Sequence, residues 1–427
     1  MRNTAIGTRF AVGLVSSAGN DVSGVRHAEM RDGRRGVICQ VERMPIIAPE
    51  DPLTLAQGGS DRPGESFAAF KCAGKIPAMA LLEHTPRGLF CEAGDFYIDP
   101  WRPVERAIIT HAHADHARPG HAHYLAARDA YHVLRARLGG EVSLQTVQYG
   151  EVRKIGNVAV SLHPAGHVLG SAQVRIEHRG QVWVVSGDYK LNADPTCAPF
   201  EPVKCHTFVS ESTFGLPIYR WRPHDELFAG VNAWWQANAA AGRASVIFAY
   251  SFGKAQRILK GVDAGIGPIF VHGAVEHLNR AYRESGVLLP DVQMVTEVDR
   301  KFDYSTSLVV APPSAQASPW MKRFSEYSDA FASGWMAIRG ARRQRNVDQG
   351  LVISDHADWP GLLSAINATG ASRVLVTHGQ VPVMVRYLRE RGLDADALET
   401  HFEGEAGSDD VTPPPTPPLT PTTQDQV

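Results

Sequence analysis

Four times along this chain a short apolar run gives way to a side chain able to ligate a metal. Arg106-Ala107-Ile108-Ile109 runs into THAHADHARPGH, which begins at Thr110 and sets His111, His113, Asp115 and His116 within six residues. His167 follows in HPAGHVLGSA, between glycines at 166 and 170 that allow tight turning and close backbone approach. Asp188 follows the run VWVV, apolar enough for a central strand, and His378 follows Val374 to Val376 in RVLVTHGQ. The downstream three fall on the same side of their strands, which asks for an α/β architecture with one ligand-bearing edge.

Within the first cluster, an extended backbone through His111-Ala112-His113 puts both imidazoles on one side and Ala112 on the other. A turn into a helix near Asp115 then carries Asp115 and His116 to a neighbouring point, giving two adjacent sites. A lone His-x-His is usually structural, and a lone strand-end His or Asp is usually a cap or turn residue. Together the seven side chains make a dinuclear set. Two cations about 3.5 to 4 Å apart lower the pKa of a bridging water, present hydroxide at neutral pH and clamp a phosphoryl or carbonyl oxygen. The donors are nitrogen and oxygen without thiolate, which suits zinc, manganese or iron.

The signature His-x-His-x-Asp-His followed by a separated His, Asp and His resembles that of the metallo-β-lactamase-fold hydrolases. The resemblance implies that His111, His113 and His167 hold one metal, that Asp115, His116 and His378 hold a second, and that Asp188 bridges them. It also matches Asp99, at the end of Phe96-Tyr97-Ile98, to an aspartate that supports the ligands; a plain turn residue before Pro100 is the other reading. The segment from Asp188 to His378 is longer than the plain fold requires. It opens with VSESTFG, carrying Glu211, and closes with LVISDHADWPG, carrying His356. These resemble motifs of the β-CASP nucleases, which implies that Glu211 and His356 pair near the metals and that His356 protonates the leaving oxygen, work suited to imidazole. YSFGKAQRIL resembles the β-CASP helix start. There Gly253 and Lys254 are either a phosphate contact or only a helix start. Arg339, Arg342, Arg343 and Arg345 crowd a loop after ASGWM, as a nucleic-acid contact or as a solvated face. His121, His123, His163 and His272 read as ordinary structural histidines.

From about Leu81 to Phe402 the chain resembles the bacterial DNA-ligase-associated exonucleases. TPRGLFCEAGDFYIDPWRPV, SGDYKLNADPTCAPFEPV, ESTFGLPIYRW, APPSAQASPWM and SDHADWPGLL carry the likeness beside the metal motifs. The resemblance implies metal-dependent exonucleolytic hydrolysis of DNA, single-stranded or with free ends, in DNA repair, with an ATP-dependent DNA ligase and a helicase as functional partners. An RNA-processing β-CASP ribonuclease is the nearest alternative, and a hydrolase of esters or thioesters the more distant one. The expected fold is a four-layer αβ/βα metallo-β-lactamase sandwich over 78–210 and 351–405, split by a β-CASP cap over 211–350.

Residues 1–77 lack a sustained period and are expected to be poorly ordered; 406–427 are Pro/Thr-rich and expected to be an extended tail. A net charge of −2 confines any nucleic-acid path to a local basic groove. The five cysteines are scattered, as in a reduced cytoplasmic protein, and no run reaches membrane-span length.

Overall fold

Short β-branched and aromatic runs set the architecture, in a computed structural model that describes residues 80–401. The expectations for residues 1–77 and 406–427 lie outside the described residues. The first sheet is built in chain order from β1 (Glu83–Thr85), β2 (Gly88–Cys91), β3 (Phe96–Ile98), β4 (Arg106–Ile108), β5 (His123–Ala127) and β6 (Leu144–Val147), with α1 (Tyr131–Leu138) between the last two. β1 to β3 pair antiparallel and β3 to β6 parallel. An antiparallel meander of β7 (Arg153–Ile155), β8 (Val158–Pro164), β9 (Ala172–His178) and β10 (Gln181–Val185) starts the second sheet, and β11 (Thr207–Ser212) adds to it in parallel.

After β11 the chain leaves this sheet and builds a third one. Its elements are α2 (His224–Ala240), β12 (Ala244–Phe248), α3 (Lys254–Gly261), β13 (Ile269–Val271), α4 (Gly273–Glu284), β14 (Gln293–Met294), β15 (Leu308–Ala311), β16 (Tyr327–Ala332), α5 (Arg339–Arg345) and β17 (Gln349–Leu351). The order is β14-β13-β15-β12-β16-β17, parallel throughout. Strands such as ASVIF and LVVA are buried at every residue, as a parallel sheet covered on both faces requires. The chain then returns through α6 (Trp359–Thr369) to β18 (Arg373–Gly379), which pairs with β11, and ends with α7 (Val381–Glu390) and β19 (Asp394–Ala397). Asp358 caps α6 by accepting from the Gly361 amide at 3.0 Å, and Gly370, with φ +65°, stops it.

The first two sheets share one core, with Phe96, Ile98 and Ile108 against Val174, Trp183 and Val209. Helices α6 and α7 cover the outer face of the second sheet through Leu362, Ile366, Met384 and Leu388. α1 and α4 cover that of the first through Val133, Leu134 and Leu278. The result is an α/β protein with mixed sheets in helix–sheet–sheet–helix order. Because the loops after β4, β8 and β10 and the carboxyl end of β18, which holds His378 within the strand, carry the candidate ligands, these meet at one end of the paired sheets. The carboxyl ends of β12 and β17 lead to the same place, as the crevice rule for open α/β sheets expects.

Three local expectations change. Asp115 and His116 lie in a single turn closed by the Ala117 amide on the His113 carbonyl at 2.8 Å, not in a helix. Glu211 belongs to β11 itself rather than to the loop after it. The arginine-rich loop is the short helix α5. No described helix is long and apolar enough to cross a membrane.

Candidate metal centre

β4 delivers the first ligand group, and Asp99 organises it. The Asp99 backbone turns left-handed after β3, at φ +42°, with its amide on the Ile108 carbonyl at 3.0 Å. Its carboxylate accepts from the Thr110 amide at 2.8 Å, the Thr110 hydroxyl at 2.5 Å and His116 Nδ1 at 2.8 Å. Since the one Thr110 hydroxyl proton goes to Asp99, Thr110 Oγ1 accepts from His111 Nδ1, 3.0 Å away. His167 Nδ1 donates to the Asp355 carbonyl at 2.8 Å. Three rings thus place Nδ1 on a protein acceptor and turn Nε2 inward, the arrangement that orients metal-binding histidines.

Those nitrogens converge on Asp188. Its Oδ2 lies 3.6 Å from His111 Nε2, 3.7 Å from His116 Nε2 and 3.8 Å from His167 Nε2, while its Oδ1 lies 2.8 Å from His378 Nε2. His113 Nδ1 stands 3.0 Å from His167 Nε2. Gly187 makes the approach possible: at φ +56° it leaves no room for a side chain, and a Cβ would come 2.7 Å from that of Thr110. His111, His113, His167 and Asp188 place ligand atoms within 4.8 Å of one another, and so do Asp188, Glu211 and His378. Asp115 Oδ2 is 3.6 Å from His116 Nε2.

The donor set fits divalent cations. His111 Nε2 is buried and has no hydrogen-bond partner among the described residues. Burial holds His111 and His113 well below the ordinary imidazole range and pushes His167 down to about 4, so these rings are neutral, the form in which imidazole ligates a metal. At His116 burial acts the same way but is outweighed by Asp115, Asp188 and Asp99, which raise it to about 10. A cluster of carboxylates with that pull on a proton also pulls on a metal ion.

β11 and the segment after β17 add a second pair beside the ligands. His356 Nδ1 contacts both Glu211 oxygens, at 3.0 and 2.9 Å, and lies 3.9 Å from Asp188 Oδ2. Burial disfavours the Glu211 anion, but His356 outweighs it and lowers the pKa. Glu211 Oε1 also accepts from the Tyr189 amide at 2.8 Å.

The nucleic-acid candidates fare differently. Lys254 is buried, 3.5 Å from Asp355 Oδ2, so its ammonium turns to the protein interior. Arg339, Arg342, Arg343 and Arg345 are exposed; the Arg342 guanidinium donates to the Met336 carbonyl, and Arg345 stacks over Phe331. His121 and His163 bond to Val104 and Glu201, His123 to Ser143, and His272 caps α4. Sequence reasoning missed Thr110, the Asp355 carbonyl and Trp221, whose indole donates to the His356 carbonyl at 2.8 Å. A threonine directly before His111 was the available signal for the first; the others depend on contacts more than a hundred residues apart along the chain.

No family model matches the chain. A probable DNA ligase from Opitutus terrae is 30% identical over 326 residues, 75% of this chain and 31% of its own length. Endoribonuclease ysh-1 of Neurospora crassa is 24% identical over 43% of this chain and 26% of its own. An RNase J-like protein of Methanocaldococcus jannaschii is 23% identical over 42% of this chain and 50% of its own. The chain is thus similar to part of a probable DNA ligase and to proteins named as ribonucleases, in keeping with the metallo-β-lactamase and β-CASP resemblance of its motifs. It spans half or less of the length of each of these three relatives. A crystal structure of a protein of unknown function from Enterococcus faecalis V583 shares the fold, with a TM-score of 0.51 at 12% identity, over 70% of this chain and 80% of that one. Set beside these relatives, the His/Asp clusters of the described residues have the composition and spacing to hold metal ions.

Proposed function

We propose that this chain is a metal-dependent DNA exonuclease acting in DNA repair beside an ATP-dependent DNA ligase and a helicase. Residues 78–210 and 351–405 then form the metallo-β-lactamase sandwich and 211–350 a β-CASP cap. The observation that carries the reading is the His356–Glu211 contact at 2.9 Å, next to an Asp188 carboxylate that meets both ligand groups. A plain small-ester hydrolase of this fold has no use for such a Glu–His pair beside the candidate ligands. DNA is favoured by the match to a probable DNA ligase over 75% of the chain.

In this reading His111, His113 and His167 hold one divalent cation, Asp115, His116 and His378 the other, and Asp188 is shared. Zinc or manganese ions there supply positive charge at the phosphate and acidify water. Glu211 accepts from His356 Nδ1 and leaves Nε2 to handle the substrate proton. As water adds to phosphorus and the P–O bond breaks, His356, charged beforehand and held so by Glu211, gives its Nε2 proton to the departing oxygen, and the proton released by the attacking water restores the imidazolium. Asp99, through Thr110 and His116, keeps the ligand rings from rotating.

The endoribonuclease relatives support a second reading, RNA processing, through the same residues. Single-stranded DNA and matched RNA, labelled separately at each end, separate the two in the presence of zinc or manganese. Stepwise shortening of DNA by the wild type, with none by Asp115→Ala, is the expected result. RNA-selective cutting favours the second reading, and intact strands with every metal overturn both.

A further inference from the structure

Beside His356 stands a cluster of aromatic rings that the chemistry above does not use. Phe214 and Tyr219 follow β11, Trp221 comes next, and Trp335 sits in the turn after β16. The Phe214 centroid is 6.1 Å from that of His356, 4.9 Å from Trp221 and 4.8 Å from Trp335, and Tyr219 is 5.7 Å from Trp335. Gly334 lets the turn close on Phe214, since a Cβ there would meet its ring at 2.3 Å. Phe214 and Tyr219 are buried, whereas both tryptophans keep part of their surface open.

The Trp221 indole is fixed by a hydrogen bond, and the Trp335 backbone is held at its amide. The Trp221 amide donates to Asp358 Oδ2 at 2.8 Å and its Nε1 to the His356 carbonyl; the Trp335 amide donates to Ser333 Oγ at 3.2 Å. Around them the surface is apolar and cationic together. Ile218 is 62% exposed, and Arg220, Arg222 and Arg339 are exposed. Arg222 pairs with exposed Glu226 at 3.5 Å, while Arg220 and Arg339 form no ion pair among the described residues. Indoles left open between guanidiniums match what an unpaired nucleic-acid strand presents: flat π-faces at intervals along a chain of phosphates.

We propose that Trp335, braced by Phe214 and Tyr219, is a stacking platform for a nucleobase of a single strand whose scissile phosphate lies at His356, with Arg220 and Arg339 meeting the neighbouring phosphates. The choice of a nucleic-acid strand as occupant rests on the nuclease reading. A duplex keeps its bases stacked on one another and has none to offer, so the platform selects unpaired ends.

The test reads binding, not cutting. Protein stripped of metal with EDTA is titrated with fluorescein-labelled oligothymidylate, intact or carrying one abasic position stepped along the strand. The platform requires one position at which base loss weakens wild-type binding roughly 5- to 100-fold, the size of a base–aromatic stack. Trp335→Ala should show the same loss with the intact strand and no further loss with the abasic one, while Trp335→Phe recovers most of the affinity. Arg220→Ala should lower the slope of log affinity against log salt by about one contact. Wild type that does not bind, or is indifferent to every abasic position, overturns the proposal, as does native-melting Trp335→Ala that binds like wild type. A protein that stacks the base through Trp335 but cuts no strand would overturn the nuclease reading alone; one that cuts but ignores base loss would overturn the platform alone.

Discussion

Asp99 shows how much of the centre depends on one side chain that touches no substrate. Its carboxylate holds Thr110 and His116 directly and His111 through the Thr110 hydroxyl. Asp99→Asn turns an acceptor of three bonds into a mixed donor and acceptor and should weaken metal binding roughly 10- to 100-fold. Chelator competition measures this, and unchanged affinity would sink the ligand-orienting role. His356→Ala is expected to differ in kind: turnover falls roughly 10²-fold while the metal content stays full. Loss of metal from that variant would make His356 a ligand instead. The candidate ligands could be named from sequence because seven His and Asp side chains recur after apolar runs, a combination far rarer than any one of them alone. Which ring nitrogen each would offer could not, because the ring orientation is set by Thr110, Asp99 and the Asp355 carbonyl, and only the first of these adjoins its ring in sequence.

Among the elements, α3 carries the strongest electrostatic tie. Arg257 lies 3.5 Å from Asp194 Oδ2 and 3.9 Å from Asp355 Oδ1, and its guanidinium also donates to the Ser354 carbonyl. Lys190 joins Asp194 at 3.5 Å and Lys254 joins Asp355, with all five side chains buried. Arg257→Met removes a buried partner from two carboxylates and should cost about 3–5 kcal/mol, read by denaturant unfolding. A loss below about 1 kcal/mol would mean the tie is not holding the helix. Burial opposes the Asp194 charge, but Lys190, Arg257 and Thr196 outweigh it and hold the carboxyl below its ordinary range. The folded state therefore releases this proton more readily than the unfolded chain. Its stabilising share is present above the unfolded value, near pH 4, and is lost as pH falls below that. Tm followed from pH 6 to pH 3 should drop less steeply in Asp194→Asn than in wild type. Sequence could not foresee this role for α3. Gly253-Lys254 has the look of a phosphate-binding helix start, and only the tertiary packing turns Lys254 inward to Asp355.

At the scale of the whole molecule, the long segment between β11 and β18 was legible from length alone, as were the two motifs that bracket it. Its internal order was not: β12 lies between β15 and β16, strands that follow it by sixty and more residues, and nothing local in ASVIF specifies those neighbours. This arrangement sends the ends of β12, β16 and β17 toward the ligand loops and makes a site approached from two sheets. Such a site should admit a strand by its end. Linear single-stranded DNA is expected to be degraded, and covalently closed duplex circles of the same sequence to survive; gel analysis showing circles cut as fast as linear strands would contradict it.

Asp355 has one more consequence, for the life of the chain before it is finished. Its carbonyl holds His167 while its carboxylate pairs with Lys254 and Arg257, so the orientation of that ring is tied to the seating of α3. On the proposed function, a chain that has not yet docked α3, or one cut between β11 and β18, would carry most of the candidate ligands without the tie that fixes Asp355 behind His167.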